Sequence, residues 1–101
     1  NEAARQNHPQ PIFLQKEILK VGSQTAVADL TIHHRSISDR HAQLTWDSEE
    51  QTYLILDLNS ASGTWINYDQ LEPEEKHLLK NGDIIHFGQA GFRYQQAQKP
   101  S

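Results

Sequence analysis

Short runs of β-branched and aromatic residues recur along this chain about every eight to twelve residues, with polar or glycine-containing turns between them. Only the stretch EPEEK has the composition of a helical turn, and Pro73 within it disfavours a longer helix. Regular spacing of many short apolar runs is typical of an antiparallel all-β sandwich or barrel. The runs are, in chain order, PIFLQ, EILKVGS, ADLTI, HAQLTWD, TYLILDL, GTWIN, DIIHFG and FRYQQ.

Two of these runs also indicate which side chains face the core. In HAQLTWD the apolar residues Ala42, Leu44 and Trp46 alternate with polar ones, as a half-buried strand requires. The nearly continuous run TYLILDL predicts a central strand in which Tyr53, Ile55 and Asp57 share one face. Turn residues follow in DSEEQ, NSASG and KNGD, where the Asn-Gly pair predicts a hairpin.

Length, charge and composition narrow the class of protein. We expect one domain of the 101 residues, with a flexible linker over 1–10, the folded domain over 11–96 and a flexible tail over 97–101. The chain has no cysteine, no apolar run near the roughly 20 residues that cross a bilayer, and no apolar signal-peptide region in NEAARQNHPQP. Because the net charge is -4, we expect no binding to nucleic acid. The lack of cysteine and of a long apolar run favours an intracellular, cytoplasmic protein that does not bind membrane.

The sequence offers weak signals for catalysis or metal binding. Ser38, Asp39 and His41 are the residue types of a hydrolytic triad, but such a triad is assembled from separate segments and not from near neighbours. The histidines lack the spacing of a metal site, and adjacent ones on a strand project to opposite faces. We therefore predict no enzymatic activity, no metal and no cofactor. The histidines considered are His33, His34, His41 and His86.

Glycine and serine positions point instead to a ligand-binding loop surface. Gly22, Gly63 and Gly82 mark places where the backbone needs a positive φ or a close approach. Two of them lie near the serine-containing segments HHRSISDRH and NSASGT. A cluster of hydroxyl groups, backbone amides and an arginine suits an anionic ligand such as a phosphate group.

The order of motifs along the chain resembles the forkhead-associated (FHA) domain family, from about Phe13 to Gln95. Each motif alone is weak, and the combination is specific. The resemblance implies a SMAD/FHA-like β-sandwich of about eleven strands whose apical loops bind phosphothreonine peptides of partner proteins. The motifs are Gly22, then ADLTI, then Ser38-x-Arg40-His41-Ala42, then Asp57-Leu58 leading into SGTWIN, and then LLKNGDIIHFG.

The resemblance implies a role for each matching position. Ser38 matches the serine whose hydroxyl contacts the phosphate, and His41 matches a histidine that braces the loops by hydrogen bonding. Gly22 matches the glycine of the first loop, and Gly63 and Thr64 match the residues that shape the second loop.

Three positions depart from the family pattern. An arginine usually follows the glycine of the first loop, but Ser23 stands here; Asp39 follows Ser38 where Arg or Asn is common; and Ser62 replaces an asparagine that holds the peptide backbone. A charge-assisted hydrogen bond contributes roughly 1.5–3 kcal/mol, so loss of the arginine alone weakens binding by about tenfold or more. Arg35 and Arg40 flank Ser38 and could partly compensate. If the loop extends a strand, Arg40 shares the face of Ser38, while Arg35 lies in the loop and could turn inward.

The sequence therefore leaves two hypotheses. In the first, a phosphothreonine peptide binds to Ser38, Arg40, Arg35, Ser23 and Ser62. In the second, the scaffold persists as a phosphate-independent interaction domain that uses a sheet face or the Trp65 region.

Overall fold

The computed structural model describes residues 16–95, which form nine strands in two sheets. Four of these strands are only two or three residues long. The strands are β1 (Ile18–Gly22), β2 (Leu30–Thr31), β3 (Ala42–Asp47), β4 (Thr52–Asp57), β5 (Thr64–Ile66), β6 (Asp69–Gln70), β7 (Lys76–Leu78), β8 (Ile84–Phe87) and β9 (Ala90–Arg93).

The first sheet has the order β2-β1-β3-β4-β7, and the second has the order β6-β5-β8-β9. All neighbouring strands are antiparallel except β1 and β2, which pair in parallel with Val21 opposite Leu30. The chain crosses from the first sheet to the second after β4, returns for β7 and crosses again before β8. Both crossings after β4 and β7 place loops at the ends of the sandwich.

A single apolar core lies between the two sheets, because each sheet contributes alternate side chains to it. The alternation expected for β3 and β4 is confirmed: Ala42, Leu44 and Trp46 are buried, as are Tyr53 and Ile55 opposite them. The Trp46 and Tyr53 rings meet edge to face at 5.1 Å. Burial raises the pKa of the Tyr53 phenol above its usual value.

The expected all-β sandwich is confirmed, with differences in detail. Residues 16–95 contain nine strands instead of about eleven, and the run PIFLQ lies outside the described residues. The sequence missed β6 and β7 because they are short and carry polar residues.

The Asn81–Gly82 hairpin prediction is wrong: the turn forms, with Gly82 at φ 92°, but it joins β7 in one sheet to β8 in the other. EPEEK forms a turn and no helix.

The predicted linker 1–10 and tail 97–101 lie outside the described residues, so the domain limits of 11–96 stay a prediction. Within the described part of the chain, no helix is long and apolar enough to cross a membrane.

The end of β1 is pressed against the loop that precedes β3. A Cβ atom on Gly22 would overlap the backbone carbonyl oxygen of Asp39, so only glycine allows this approach. The next residue confirms the contact, because the Ser23 amide donates to the Ser38 carbonyl at 3.1 Å. A buried glycine therefore sets the distance between two loops at one end of the sandwich.

The loop between β1 and β2 is fixed at its far end by Asp29. The Asp29 amide donates to the Lys20 carbonyl at 2.8 Å, and the Lys20 amide returns a 2.8 Å hydrogen bond to the Asp29 carboxylate. The Lys16 ammonium also donates to this carboxylate. These contacts, first the Lys16 bond and then the Lys20 bond, lower the pKa of Asp29 below its usual value.

We expect Gly22→Ala to lower the free energy of unfolding by about 1–3 kcal/mol, because the new methyl group overlaps backbone that cannot move freely. Gly91→Ala is the matched control, since its Cβ would meet only the His86 ring, 2.8 Å away, which can rotate. Urea unfolding of both variants measures the difference. Equal losses of stability in the two variants would contradict the close approach at Gly22.

Candidate functional site

Three loops meet at one end of the sandwich, and we call them the apical loops: residues 23–29, 32–41 and 58–63. The first two are joined by the hydrogen bond from the Ser23 amide to the Ser38 carbonyl, at 3.1 Å. The second and third are joined by the Ala61 amide, which donates to the Ser38 hydroxyl at 2.9 Å. The structure therefore brings together the separate segments from which the sequence predicted a ligand-binding surface.

Ser38 lies at the junction of the apical loops and is half-buried. Its hydroxyl oxygen accepts from Ala61, while no described acceptor receives the hydroxyl proton. A serine hydroxyl has one donor and two acceptor positions, so Ser38 can still donate to a ligand oxygen while it holds the third loop.

The buried His41 side chain connects two of the apical loops by hydrogen bonds. It is completely buried, its Nδ1 accepts from the Ser38 amide at 3.1 Å, and its Nε2 lies 2.8 Å from the Gly63 carbonyl oxygen. Because Nδ1 accepts, the ring carries its proton on Nε2 and donates it to Gly63. The ring also packs edge to face on Phe87 of the second sheet, at 5.9 Å. One side chain thus connects two loops and both sheets.

Asp57 organises the third loop. Its Oδ1 accepts from the hydroxyl groups of Ser60, at 2.6 Å, and Thr64, at 2.7 Å, and its Oδ2 accepts from the Ser60 amide at 3.1 Å. The Ser60 hydroxyl in turn accepts from the Gly63 amide at 3.0 Å. Gly63 itself has φ 86°, which glycine adopts without strain.

This carboxylate was missed as a site-forming residue when the sequence was considered alone. The available signal was an aspartate three residues before a serine at the end of a strand, a spacing at which such side chains bind local backbone.

Ser36 connects the second apical loop to the turn between β8 and β9. Its hydroxyl donates to His34 Nδ1 at 2.7 Å and accepts from the Gln89 amide at 3.0 Å. The turn approaches so closely that a Cβ on Gly88 would lie 2.7 Å from the Ser36 hydroxyl. The sequence alone did not indicate this contact.

The Asp39 carboxylate accepts hydrogen bonds from side chains of the first apical loop. Its carboxylate accepts from the Ser23 hydroxyl at 3.0 Å and, more weakly, from the Gln24 side-chain amide at 3.4 Å. Ser23 lies next to Ser38, and its hydroxyl is engaged with the carboxylate of Asp39. A carboxylate at this position adds negative charge to a surface for which the sequence suggested an anionic ligand.

The other predicted ligand-binding residues lie on the surface of the loops. Arg35 and Arg40 are both exposed, and neither forms an ion pair with any of residues 16–95. Residues 32–41 are not strand, so the condition under which Arg40 would share a strand face with Ser38 is not met. Ser62 is exposed, and its carbonyl oxygen lies 3.4 Å from the Trp65 indole nitrogen.

The geometry does not assemble a catalytic triad. His41 contacts the Ser38 backbone amide and not its hydroxyl, and both ring nitrogens are engaged with backbone groups. A general base needs a free nitrogen within reach of the nucleophile. Among the described residues, no group of three or more His, Cys, Asp or Glu side chains could hold a metal ion.

Two sheets with this strand order, loops that meet at one end, and a buried histidine and aspartate beneath them define a class of binding domain. The sequence model of the FHA domain matches residues 19–88, and the chain belongs to the FHA domain family. FHA domains are protein-interaction modules and not enzymes.

Similar proteins support the assignment. The human nuclear inhibitor of protein phosphatase 1 is 29% identical over 89 residues, which cover 88% of this chain and 25% of that protein. An Arabidopsis thaliana FHA domain has a TM-score of 0.73 and 29% identity, over 83% of this chain and 70% of that one. The MEK1 FHA domain in complex with a phosphothreonine peptide of HOP1 has a TM-score of 0.63 and 25% identity, over 74% and 76%. The chain spans about a quarter of the length of the curated relatives named first.

We expect His41→Phe to lower the free energy of unfolding by about 2–5 kcal/mol, because the Ser38 amide and the Gly63 carbonyl each lose a buried partner. The phenyl ring keeps the packing on Phe87, so lost hydrogen bonds dominate. Urea unfolding gives the stability, with His33→Phe at an exposed position as the control. A His41→Phe variant as stable as the wild-type protein would show that the two hydrogen bonds do not hold the loops.

Proposed function

We propose that this domain binds a phosphothreonine peptide of a partner protein at the apical loops. The observation that carries the proposal is the position of Ser38, whose hydroxyl accepts from Ala61 and retains a proton to donate to a phosphate oxygen. The bound phosphothreonine peptide in the MEK1 FHA domain supports this ligand class. In this proposal Gly22, His41, Gly63 and Thr64 shape the loops and do not contact the ligand.

Positive charge for the phosphate comes from Arg35 and Arg40 in this proposal. Both are exposed and free of ion pairs with the described residues, so either guanidinium can turn towards an anion without breaking a salt bridge. Ser23 and Ser62 supply hydroxyl or backbone groups to the peptide. Because position 23 lacks the usual arginine, the site lacks one charge-assisted hydrogen bond to the phosphate. We expect its affinity to be about tenfold or more lower than that of a site with this bond.

Ser38→Ala tests the role of the hydroxyl. We expect it to weaken binding of a phosphothreonine peptide by about tenfold to a hundredfold, because a hydrogen bond to a charged group is lost. The peptide is selected from a degenerate phosphothreonine pool, and affinity is measured by calorimetry. Ser48→Ala, in the turn between β3 and β4 at the opposite end of the sandwich, should bind as the wild-type protein does. Unchanged affinity in Ser38→Ala would contradict the proposal.

A second candidate function is phosphate-independent peptide binding at the same fold. The specific observation in its favour is the Asp39 carboxylate, which already accepts from Ser23 and Gln24 in the first apical loop. In this alternative the internal carboxylate takes the donors that a phosphate would need, and like charge disfavours an anionic ligand.

Asp39→Asn separates the two candidates. If the loops bind phosphate, removal of the neighbouring negative charge should tighten phosphopeptide binding by about tenfold, and the gain should shrink at high salt. Glu49→Gln removes one equal charge at the opposite end of β3 and serves as the control. Phosphorylated and unphosphorylated peptides that bind alike in both the wild-type protein and Asp39→Asn would favour the phosphate-independent function.

The ligand in either case is part of a protein partner, and we propose no role in binding nucleic acid or membrane. We also propose an intracellular location, in keeping with a ligand that kinases produce. The cytoplasm specifically is not supported, because the human relative is named as a nuclear protein.

A further inference from the structure

The central strand β4 is apolar on both of its faces. Tyr53 and Ile55 belong to the core, and Leu54 and Leu56 alternate with them on the opposite side of the sheet. An antiparallel strand with one face in solvent usually carries polar residues there, whereas a nearly continuous apolar run is typical of a strand covered on both faces. The second sheet covers the core face, and Leu54 and Leu56 are left only half-buried. The composition of β4 therefore suits a further covering layer.

The same apolar surface continues across four strands of the first sheet. Ile18, Thr45, Leu54 and Leu78 lie opposite one another on β1, β3, β4 and β7, and we call them the apolar row. Ile18 is 52% exposed, and the two leucines are half-buried and lie outside the core cluster. The Thr45 hydroxyl accepts from the Gln43 side chain of the same strand at 3.4 Å. Contiguous apolar surface with a polar border is typical of an interaction site.

Two lysines adjoin the apolar row on the side of the apical loops. Lys20 on β1 and Lys76 on β7 stand at the two ends of the next row of side chains. Both are exposed, and neither forms an ion pair with a residue of the described chain. Lys20 lowers the pKa of Asp29 by its charge, but the Asp29 carboxylate is paired with Lys16. In a chain of net charge -4, this pair of lysines attracts carboxylates of a partner.

The opposite border of the apolar row is acidic. Asp47 is on the same side of β3 as Thr45, and the turn after it contains the exposed residues Glu49 and Glu50. The Asp47 carboxylate accepts from the amides of both glutamates, at 3.0 and 3.1 Å. Like charge repels acidic groups of a ligand at this border. Charge therefore orients an acidic ligand, with its carboxylates on the side of the two lysines.

The size of this surface suits one helix better than a second copy of the domain. At the usual strand spacing and rise, four strands of up to six residues cover roughly 300 Å². A stable interface needs about 800 Å² from each partner, so two copies stacked on this surface would bury too little. About ten residues of a helix span the roughly 14 Å of the apolar row.

Backbone hydrogen bonding also favours a helix over an extended segment. The backbone groups of a sheet pair in its plane, so a strand laid flat on its face finds no partners there. Its own N–H and C=O groups would be pressed unpaired against apolar side chains, which is costly. A helix pairs these groups internally and presents a stripe of side chains.

We propose that the apolar row binds an amphipathic helix of a partner protein, with carboxylates along the flank of its apolar stripe that faces Lys20 and Lys76. Apolar residues spaced at i, i+3 or i+4 and i+7 lie on Ile18, Leu54 and Leu78. The small area makes this a weak and transient contact. The proposal does not rest on phosphate binding, since none of these five residues belongs to the apical loops.

The test uses two synthetic helices of about 20 residues with the same stripe of leucines. The acidic probe carries Glu along one flank of the stripe, the basic probe carries Lys at the same positions, and Ala and Gln fill the rest. Each is titrated to millimolar concentration into the ¹⁵N-labelled domain. We expect the acidic probe to shift the amides of Ile18, Thr45, Leu54 and Leu78, and to bind about threefold or more tighter than the basic probe.

No shifts at these four amides, or equal binding of the two probes, would overturn the proposal. So would shifts of the same amides when the domain alone is concentrated, because they would assign the apolar row to contact between two copies.

Reversing one charge tests the orientation of the helix. Lys76→Glu should weaken binding of the acidic probe by about threefold or more, and should leave the urea midpoint unchanged because Lys76 is exposed. Arg93→Glu makes the same change of charge on β9 in the second sheet and should bind the probe as the wild-type protein does. Equal affinities of the two variants would rule out the proposed orientation.

Ile18→Thr separates binding from folding. Threonine keeps the β-branched shape at an exposed strand position, so the urea midpoint should stay unchanged, while binding of the acidic probe should weaken by about threefold or more. Val27→Thr removes another exposed aliphatic side chain, outside the apolar row, and should change neither. Unchanged probe binding in Ile18→Thr would contradict the proposal, and a lower urea midpoint would assign Ile18 to packing within the domain.

Discussion

The arrangement of the apical loops depends on one buried histidine. His41 accepts from the Ser38 amide and donates to the Gly63 carbonyl, and its ring rests on Phe87. Both hydrogen bonds are made away from water, where an unpaired backbone group is costly. The two loops therefore keep a fixed separation, which would reduce the entropy lost in the binding that we propose. Asp57 fixes the conformation of the third apical loop through its own hydrogen bonds. Gly22 allows the first and second apical loops to approach each other closely.

Much of the fold could be predicted from the sequence because its signals are local. Alternation of apolar and polar residues in HAQLTWD determines which face of β3 is buried, and the buried face of TYLILDL follows in the same way. Sequence signals fail where contacts between distant parts of the chain determine the local structure. β7 forms because it pairs with the edge of β4 at Leu54 to Leu56. The Asn81–Gly82 turn connects the two sheets, although its residues suit a hairpin within one sheet.

The site was predictable in outline only. The motif order located Ser38 and His41, but motifs do not give the partners of a side chain. That the Asp39 carboxylate would bind Ser23, or that Asp57 would gather Ser60 and Thr64, depends on loop geometry set by distant residues. The position of Arg40 could not be predicted in this way, because a strand was assumed where the chain bends. The departures from the family pattern were visible in the sequence, whereas the way the loops accommodate them was not.

The most direct test of the account is a comparison of amide chemical shifts in the ¹⁵N-labelled domain with a degenerate phosphothreonine peptide pool and with the same pool unphosphorylated. The account predicts that the phosphorylated pool alone shifts Ser38, Ala61 and Gly63, the residues that the hydrogen bonds of His41 and Ser38 connect. Equal shifts with both pools, or shifts that leave these three amides unchanged, would contradict it.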